Sequence, residues 1–261
     1  MPLLSADKLT KSFGGLTAVS DASMDIEKGE LVGLIGPNGA GKTTFFNILT
    51  GVYAPTSGSI KLEVDGTVKD ITGFKPYNIT KSGVARTFQN IRLFKDLTVL
   101  DNIRIAMHQN IKYSLPSAFL RSNNFYYEEE RLVKEAEELL DIFNLTDKKN
   151  ELAKNLPYGE QRHLEIVRAM ATRPVLLLLD EPAAGMNPME TDNLTKTIAK
   201  IREEFNLTIL LIEHDMSLVM KICQRIYVLD YGTMIAEGSP SEIKNSKRVI
   251  EAYLGEDVRY A

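Results

Sequence analysis

The residues best suited to chemistry lie in Gly36-Pro-Asn-Gly-Ala-Gly-Lys-Thr43, which fills the pattern G-x-x-x-x-G-K-[S/T] straight after the apolar run Leu31-Val-Gly-Leu-Ile35. A polyphosphate is bulky and anionic, so a loop that wraps it needs glycines, whose missing Cβ permits positive φ and close backbone approach. Gly36, Pro37, Asn38, Gly39, Ala40 and Gly41 would turn several N–H groups into one concavity at the positive end of the helix that follows. Lys42 adds a point charge for the β- and γ-phosphates, Thr43 a hydroxyl for Mg²⁺, and Thr44 completes the cradle. A bare glycine-rich turn is the competing reading. Against it stand the strand before the loop and a helical pattern over Thr43 to Thr50, with Phe46 and Leu49 toward a sheet and Gly51 as its cap. The expected ligand is a nucleoside triphosphate.

Val175-Leu-Leu-Leu-Leu-Asp-Glu-Pro182 carries the second set of reactive groups. A wholly apolar strand belongs in a parallel sheet covered on both faces. Carboxylates at its C-terminal end lie on the edge where ligands collect in such sheets. Asp180 would hold Mg²⁺ through its water shell. Glu181 would polarise the water that attacks the γ-phosphate, a general-base role worth about 10² to 10⁴ in rate. Alone, the pair could equally cap a core strand; beside the glycine loop the catalytic reading is preferred.

These groups need a scaffold, and 261 residues allow one large α/β domain or two small ones with ample core. The composition, 44% hydrophobic and 25% charged, is that of a soluble globule. The longest apolar run of the second half, Val175 to Leu179, is too short to cross a bilayer. The start, Met1 to Asp7, lacks the basic residues and long apolar core of a signal peptide. The single cysteine, Cys223, excludes an intrachain disulfide and suits a reducing cytosol as a small core hydrophobe. A net charge of −4 argues against a nucleic-acid surface.

Leu3 to Leu9 and Ala18 to Ile26 alternate as strands with one wet face. Ser57 to Ile71 reads as a hairpin about Asp65-Gly66, and Lys75 to Ser82 as a short helix ended by Gly83. From about Leu93 to Leu156 helical patterns with acidic faces take over. The clearest, Glu128 to Phe143, puts Leu132, Ala136, Leu139, Leu140 and Phe143 on one stripe and its glutamates on a solvated face. This region is read as a helical subdomain inserted in the α/β core. Its aromatic-rich part, Tyr113 to Tyr127, suits packing of the insert or docking of another subunit better than base stacking. After Val175 the α/β rhythm returns. Asn187-Pro188-Met-Glu190 starts a helix whose buried stripe is Leu194, Ile198 and Ile201. Leu207 to Ile212 and Ile226 to Asp230 are strands, and Ser239-Pro240-Ser-Glu242 repeats the capping pattern.

Asn155-Leu-Pro-Tyr-Gly-Glu-Gln-Arg-His-Leu-Glu-Ile-Val-Arg-Ala-Met170 precedes the acidic strand, with Gly159 at a helix start where N–H groups make a second anion site. The segment resembles the Leu-Ser-Gly-Gly-Gln signature of ATP-binding cassette (ABC) ATPases. Leu156 and Gly159 match outright, while Pro157, Tyr158 and Glu160 stand where that family has Ser, Gly and Gln. Pro157 removes a hydroxyl that would bond the γ-phosphate. The resemblance implies roles for other positions. Phe13, otherwise a core aromatic, would stack on adenine. Gln89, in Arg86-Thr-Phe-Gln-Asn90, matches the Q-loop glutamine near Mg²⁺ and the attacking water. Pro182 to Asn187 occupies the D-loop, with Asn187 where many members carry Asp. His214 matches the switch histidine that bonds the γ-phosphate. Arg86 to Phe94, Glu181 to Pro188, Leu211 to Met216 and Ala252 to Glu256 are similar to the G-type ATP-binding subunit of branched-chain amino acid importers. Importers of urea and short amides, and the lipopolysaccharide-export ATPase, share parts of the pattern.

The resemblance implies an α/β fold, a P-loop NTPase of the ABC ATPase type. It would have a mostly parallel core sheet, an antiparallel β subdomain and a helical subdomain at about 93–170, all in one cassette spanning 1–261. ATP and Mg²⁺ are the implied cofactors. Each ATP would lie between the loop Gly36 to Thr44 of one cassette and the segment Leu156 to Glu160 of a second, a copy or a paralogue. Gln89 and the insert would pass the motion to two transmembrane permease subunits at the cytoplasmic face of the cell membrane. An extracytoplasmic solute-binding protein would be served indirectly, and no nucleic acid is expected. The solute would be chosen by the binding protein and permeases, not by this chain. A soluble ABC ATPase acting on DNA or ribosomes usually carries long coiled coils or two cassettes, and this sequence has neither. A GTPase wants an Asn-Lys-x-Asp motif, which is absent from the sequence.

Overall fold

Leu31–Ile35 (β3), buried along its whole length, is an interior strand of a six-stranded sheet that carries every reactive group at one edge. The computed structural model describes residues 1–257, with side chains through Tyr253, so the motif Ala252 to Glu256 runs past the described side chains at Leu254. Before β3 come β1 (Leu4–Phe13) and β2 (Leu16–Ile26), both longer than the alternation alone suggests. After it come α1 (Lys42–Leu49), the hairpin β4 (Ser57–Val64) and β5 (Thr67–Asp70), α2 (Pro76–Lys81) and β6 (Val84–Arg86). The helical stretch holds α3 (Val99–Ala106), α4 (Leu115–Phe119), α5 (Asn123–Ile142) and α6 (Tyr158–Met170). The remainder is β7 (Leu176–Asp180), α7 (Pro188–Glu204), β8 (Thr208–Ile212), α8 (Met216–Ile222), β9 (Arg225–Asp230), β10 (Thr233–Gly238), α9 (Pro240–Asn245) and α10 (Lys247–Asp257).

The large sheet runs β10-β9-β3-β8-β7-β6, parallel except for the β9–β10 hairpin; the small antiparallel sheet runs β2-β1-β4-β5. Registers such as Asp180 opposite Ile212 and Arg86 opposite Leu178 bring the C-terminal ends of β3, β6, β7 and β8 to one edge. Side chains alternate between two cores, as the strand period of two requires. Leu31, Leu177, Leu179, Ile209 and Leu211 face the helices, in one buried cluster with Ile103, Leu140, Leu164 and Ile198. Val32, Leu34, Leu176, Leu178 and Leu210 face α1, through Phe45 and Phe46, and the antiparallel sheet, through Leu9, Val19 and Ile60. The helical stretch thus shares a core with one face of the sheet.

Local expectations hold with some corrections. Asp65 (φ 51°) and Gly66 (φ 80°) make the tight hairpin turn, since both central positions of a type I′ turn need positive φ. Both capping boxes form, at Asn187 with Glu190 and at Ser239 with Glu242. The cap of α1 is Thr50, and Gly51 is the residue after it. Leu132, Ala136, Leu140 and Phe143 are buried, but Leu139 only partly. The expected solvated glutamate face is wrong at Glu128, which is buried because it accepts the Arg131 guanidinium and the Lys112 N–H. The aromatic segment divides. Tyr113 and Phe125 pack with ring centroids 5.1 Å apart, while Phe119 and Tyr127 are exposed. No helix among the described residues is long and apolar enough to cross a membrane.

Candidate nucleotide site

The glycine loop follows β3 and hands over to α1 at Gly41, whose φ of 101° is the left-handed N-cap of that helix. A side chain cannot stand there: a Cβ on Gly41 would lie 2.4 Å from the Ala18 carbonyl oxygen, and one on Gly36 would lie 2.0 Å from that of Leu229. The loop is therefore clamped between the two sheets, its backbone in close approach to both. The N-terminus of α1 has no side-chain cap and no acidic residue in its first turn, so its amides and dipole remain available to an anion. Lys42, 7% exposed, donates from Nζ to the carbonyls of Gly36 (2.6 Å) and Pro37 (2.8 Å), which curls it over the loop. Asn38 and Gly39 at the tip and Thr43 are exposed, Ala40 is buried, and Thr44 is half-buried.

Three of the residues singled out for catalysis meet in space. Glu181 accepts from Gln89 Nε2 through Oε2 at 2.8 Å, and its Oε1 lies 2.6 Å from His214 Nε2. They come from the ends of β6, β7 and β8, and parallel pairing puts those ends side by side. Glu181 sits at φ 48°, a left-handed conformation that costs a non-glycine residue roughly 1–2 kcal/mol, held by its N–H bond to the Ile212 carbonyl (2.9 Å). Next to it Glu213, buried, accepts Ala183 N–H at 2.7 Å and His214 N–H at 3.0 Å, tying the turn after β7 to the turn after β8. Burial pushes the Glu213 carboxyl above the usual carboxylate range, against the pull of those N–H groups.

Asp180 is buried and takes the guanidinium of Arg86, Nη2 to Oδ2 at 2.6 Å. Nη1 of the same arginine donates to Asn47 Oδ1 (2.7 Å) and Thr50 Oγ1 (3.1 Å) on α1. This arginine stood in the sequence only as part of a motif; its partners lie 36 to 94 residues away and no spacing rule names them. The Thr43 hydroxyl, the Asp180 carboxylate and the Gln89 amide oxygen, expected to hold Mg²⁺, are all oxygen donors of the kind that ion takes. Among the described residues there is no group of three or more His, Cys, Asp or Glu that could hold a metal by itself, so phosphate and water oxygens would complete the shell.

Phe13 stands apart at the end of β1, 43% exposed and edge-on to Tyr53 with centroids 5.2 Å apart, rather than in the core. The segment Leu156 to Glu160 opens α6: Leu156 is buried, Pro157 is the N-cap, and Gly159 packs against Glu190, where a Cβ would lie 3.2 Å from Oε1. Glu160 pairs with Lys148 at 2.6 Å. What this segment joins is the backbone near Gln89 and the turn at Gly185, through Arg162 and Tyr158.

Comparison with known proteins accords with this geometry. The family profile described as ABC transporter matches residues 19–184. The chain is 49% identical to the high-affinity branched-chain amino acid transport ATP-binding protein LivG of Salmonella typhimurium, covering 98% of each. The chain belongs to the ABC transporter ATPases. A second profile, branched-chain amino acid ATP-binding cassette transporter, matches residues 233–259 of the cassette. The lipopolysaccharide export system ATP-binding protein LptB of Haemophilus influenzae is a more distant relative, 34% identical over 99% of this chain and all of that one. Among solved structures, the ADP conformation of MJ1267, an ATP-binding cassette of an ABC transporter, superposes with a TM-score of 0.84 at 30% identity, covering 98% of this cassette and 99% of that chain. The cassette is an ATP-binding ATPase subunit of a transporter.

Proposed function

We propose that this cassette energises a membrane importer of branched-chain amino acids from the cytoplasmic face of the membrane. Two cassettes, copies or paralogues, would meet head to tail and carry two permease subunits fed by a solute-binding protein. The reading is supported above all by the meeting of Gln89 and His214 on Glu181 at the sheet edge that bears the glycine loop. Among relatives, several named for branched-chain amino acid transport stand at 48–49% identity and another at 36%, against 34% for the lipopolysaccharide exporter, which favours import.

In this reading residues 1–261 are one cassette, with about 93–170 as its helical subdomain. The amides of residues 36–44 and Lys42 bind the triphosphate, and Phe13 stacks on adenine. Thr43, Asp180 and Gln89 would hold Mg²⁺, which when bound offsets charge on the β- and γ-phosphate oxygens. Glu181 takes a proton from the attacking water. His214 turns its Nε2 from Glu181 to the γ-phosphate. Leu156, Pro157, Tyr158, Gly159 and Glu160 face the ATP of the opposite cassette, with the helix N-terminus in place of the missing serine hydroxyl. A nucleotide contacted from both sides favours the closed dimer by its differential affinity, and loss of the γ-phosphate removes that preference.

The test is Glu181→Gln in the complex with its permeases. ATP binding should persist, the ATP-bound dimer should accumulate, and uptake of labelled leucine into vesicles should stop. Hydrolysis at the unaltered rate removes Glu181 from the mechanism, and leucine uptake indifferent to the cassette removes the proposed solute.

A further inference from the structure

Arg162 is the bulkiest of the fully buried side chains, and it lies on α6 one turn beyond Gly159. A guanidinium out of water needs a partner for nearly every donor. Nη1 donates to the Phe88 carbonyl (2.6 Å) and to Glu165 Oε2 (3.1 Å); Nη2 donates to the Gln89 carbonyl and to the Tyr158 hydroxyl (3.2 Å). Only Nε is left without one. Glu165, equally buried, accepts the Arg92 N–H through Oε1 at 3.1 Å. The two charges therefore hold both ends of residues 88–92 from one face of the helix. Gln89 is anchored twice, its carbonyl by Arg162 and its side-chain amide by Glu181.

The start of α6 also reaches the other loop beside Glu181. A Cβ on Gly185 would lie 3.3 Å from Tyr158 Cε1, so the tyrosine ring covers that glycine. Tyr158 thus joins the turn at Gly185 to Arg162, from the position where the resembled signature has a glycine. A buried ion pair is on average no more stabilising than apolar residues of the same volume, so net stability does not account for this one. A planar fork that grips two successive carbonyls does supply geometry, which a lysine ammonium cannot copy.

We propose that Arg162 is a positioning residue, assisted by Glu165 and Tyr158, that fixes the aim of Gln89 at Glu181 by locking residues 88–92 to the start of α6. The inference rests on the reading of Gln89 and Glu181 given above. Its consequence is that the segment Leu156 to Glu160 cannot shift without carrying the Gln89 amide with it.

The experiment compares Arg162→Lys, Gln89→Ala and the double variant of the cassette. Arg162→Lys should lower kcat by about tenfold or more, since small misplacements of catalytic groups cost that much, while equilibrium affinity for a fluorescent ATP analogue stays within about twofold. Hydrogen exchange should quicken over residues 88–92. In the Gln89→Ala background the lysine should add less than about a twofold loss, because residues acting as one unit are not additive. An equal loss in both backgrounds, or unchanged exchange at 88–92, overturns the proposal. If Gln89→Ala itself hydrolyses ATP normally, the catalytic reading of Gln89 has failed, and hydrogen exchange alone decides the clamp. If Arg162→Lys does not fold, Tyr158→Phe removes one hydroxyl from a half-exposed residue. It should lower kcat about two- to threefold, only when Gln89 is present. Unchanged kcat together with unchanged exchange in that variant overturns the proposal as well.

Discussion

Arg86→Met should cost about 3–5 kcal/mol of folding stability, the penalty for taking the partner from a buried charge. Little solvent screening offsets it, because the Arg86 and Asp180 side chains are 10% and 5% exposed and their contact is 2.6 Å. Two further acceptors, Asn47 Oδ1 and Thr50 Oγ1 on α1, lose their donor at the same stroke. Methionine retains apolar contact with the rings of Phe46 and Phe88, which flank the guanidinium at 5.6 and 5.5 Å, so the cavity contribution is small. For a chain of this length the loss corresponds to a melting point roughly 6–20 °C lower. Denaturant unfolding of the single variants and of Arg86→Met with Asp180→Asn separates charge from shape. A neutral amide needs no cation, so the double variant should be more stable than the sum of the single losses allows, by about 2 kcal/mol. A single variant that loses less than about 1 kcal/mol, or strict additivity in the double, refutes the claim that Arg86 is there to balance Asp180.

Other consequences are as direct. Gly41→Ala drives a Cβ to 2.4 Å from the Ala18 carbonyl at a φ of 101°, which should cost about 2–5 kcal/mol from overpacking and left-handed strain together; a melt unchanged from the parent contradicts the loop geometry. Lys42→Ala removes charge-assisted bonds of about 1.5–3 kcal/mol, so ATP affinity by calorimetry should fall roughly ten- to a hundredfold, and an unaltered Kd removes Lys42 from the site. Burial pushes the Cys223 thiol up to about 12 from 9.0, so at pH 8 the folded thiolate should be about a thousandfold scarcer than the unfolded one. Because the folded state holds that proton more tightly, its contribution to stability is complete below pH 9.0 and lost as pH rises through about 12. Iodoacetamide labelling at equal rates in native and denatured protein would count against it.

How much of this site could be read beforehand depends on whether the information is local. The loop at Gly36 to Thr44 and the pair Asp180-Glu181 are contiguous, and a contiguous run states its own geometry through glycine placement and strand period. Gln89 and His214 needed the resemblance, because nothing near them says that β6, β7 and β8 lie in adjacent order; once they do, both side chains reach Glu181. Phe13 shows a different gap, since its edge-on pairing with Tyr53, forty residues on, is not visible in its own neighbourhood. Helical period alone assigns the glutamates of α5 to water, and it cannot see the Lys112 N–H that bonds Glu128. Arg162 is the most instructive case. Gly159, Arg162, Ile166 and Met170 fall three or four apart on one buried face of α6, so the period does put a cation on an apolar stripe. Such a cation requires a partner, and Glu165 at i+3 is visible at once. The carbonyls of Phe88 and Gln89 are not, since 73 and 74 residues separate them from the guanidinium and only the packing of α6 on the loop after β6 brings them together. Periodicity thus announces an obligation that topology alone can discharge, and a charged residue on an otherwise buried helical face is where a search for positioning residues should begin.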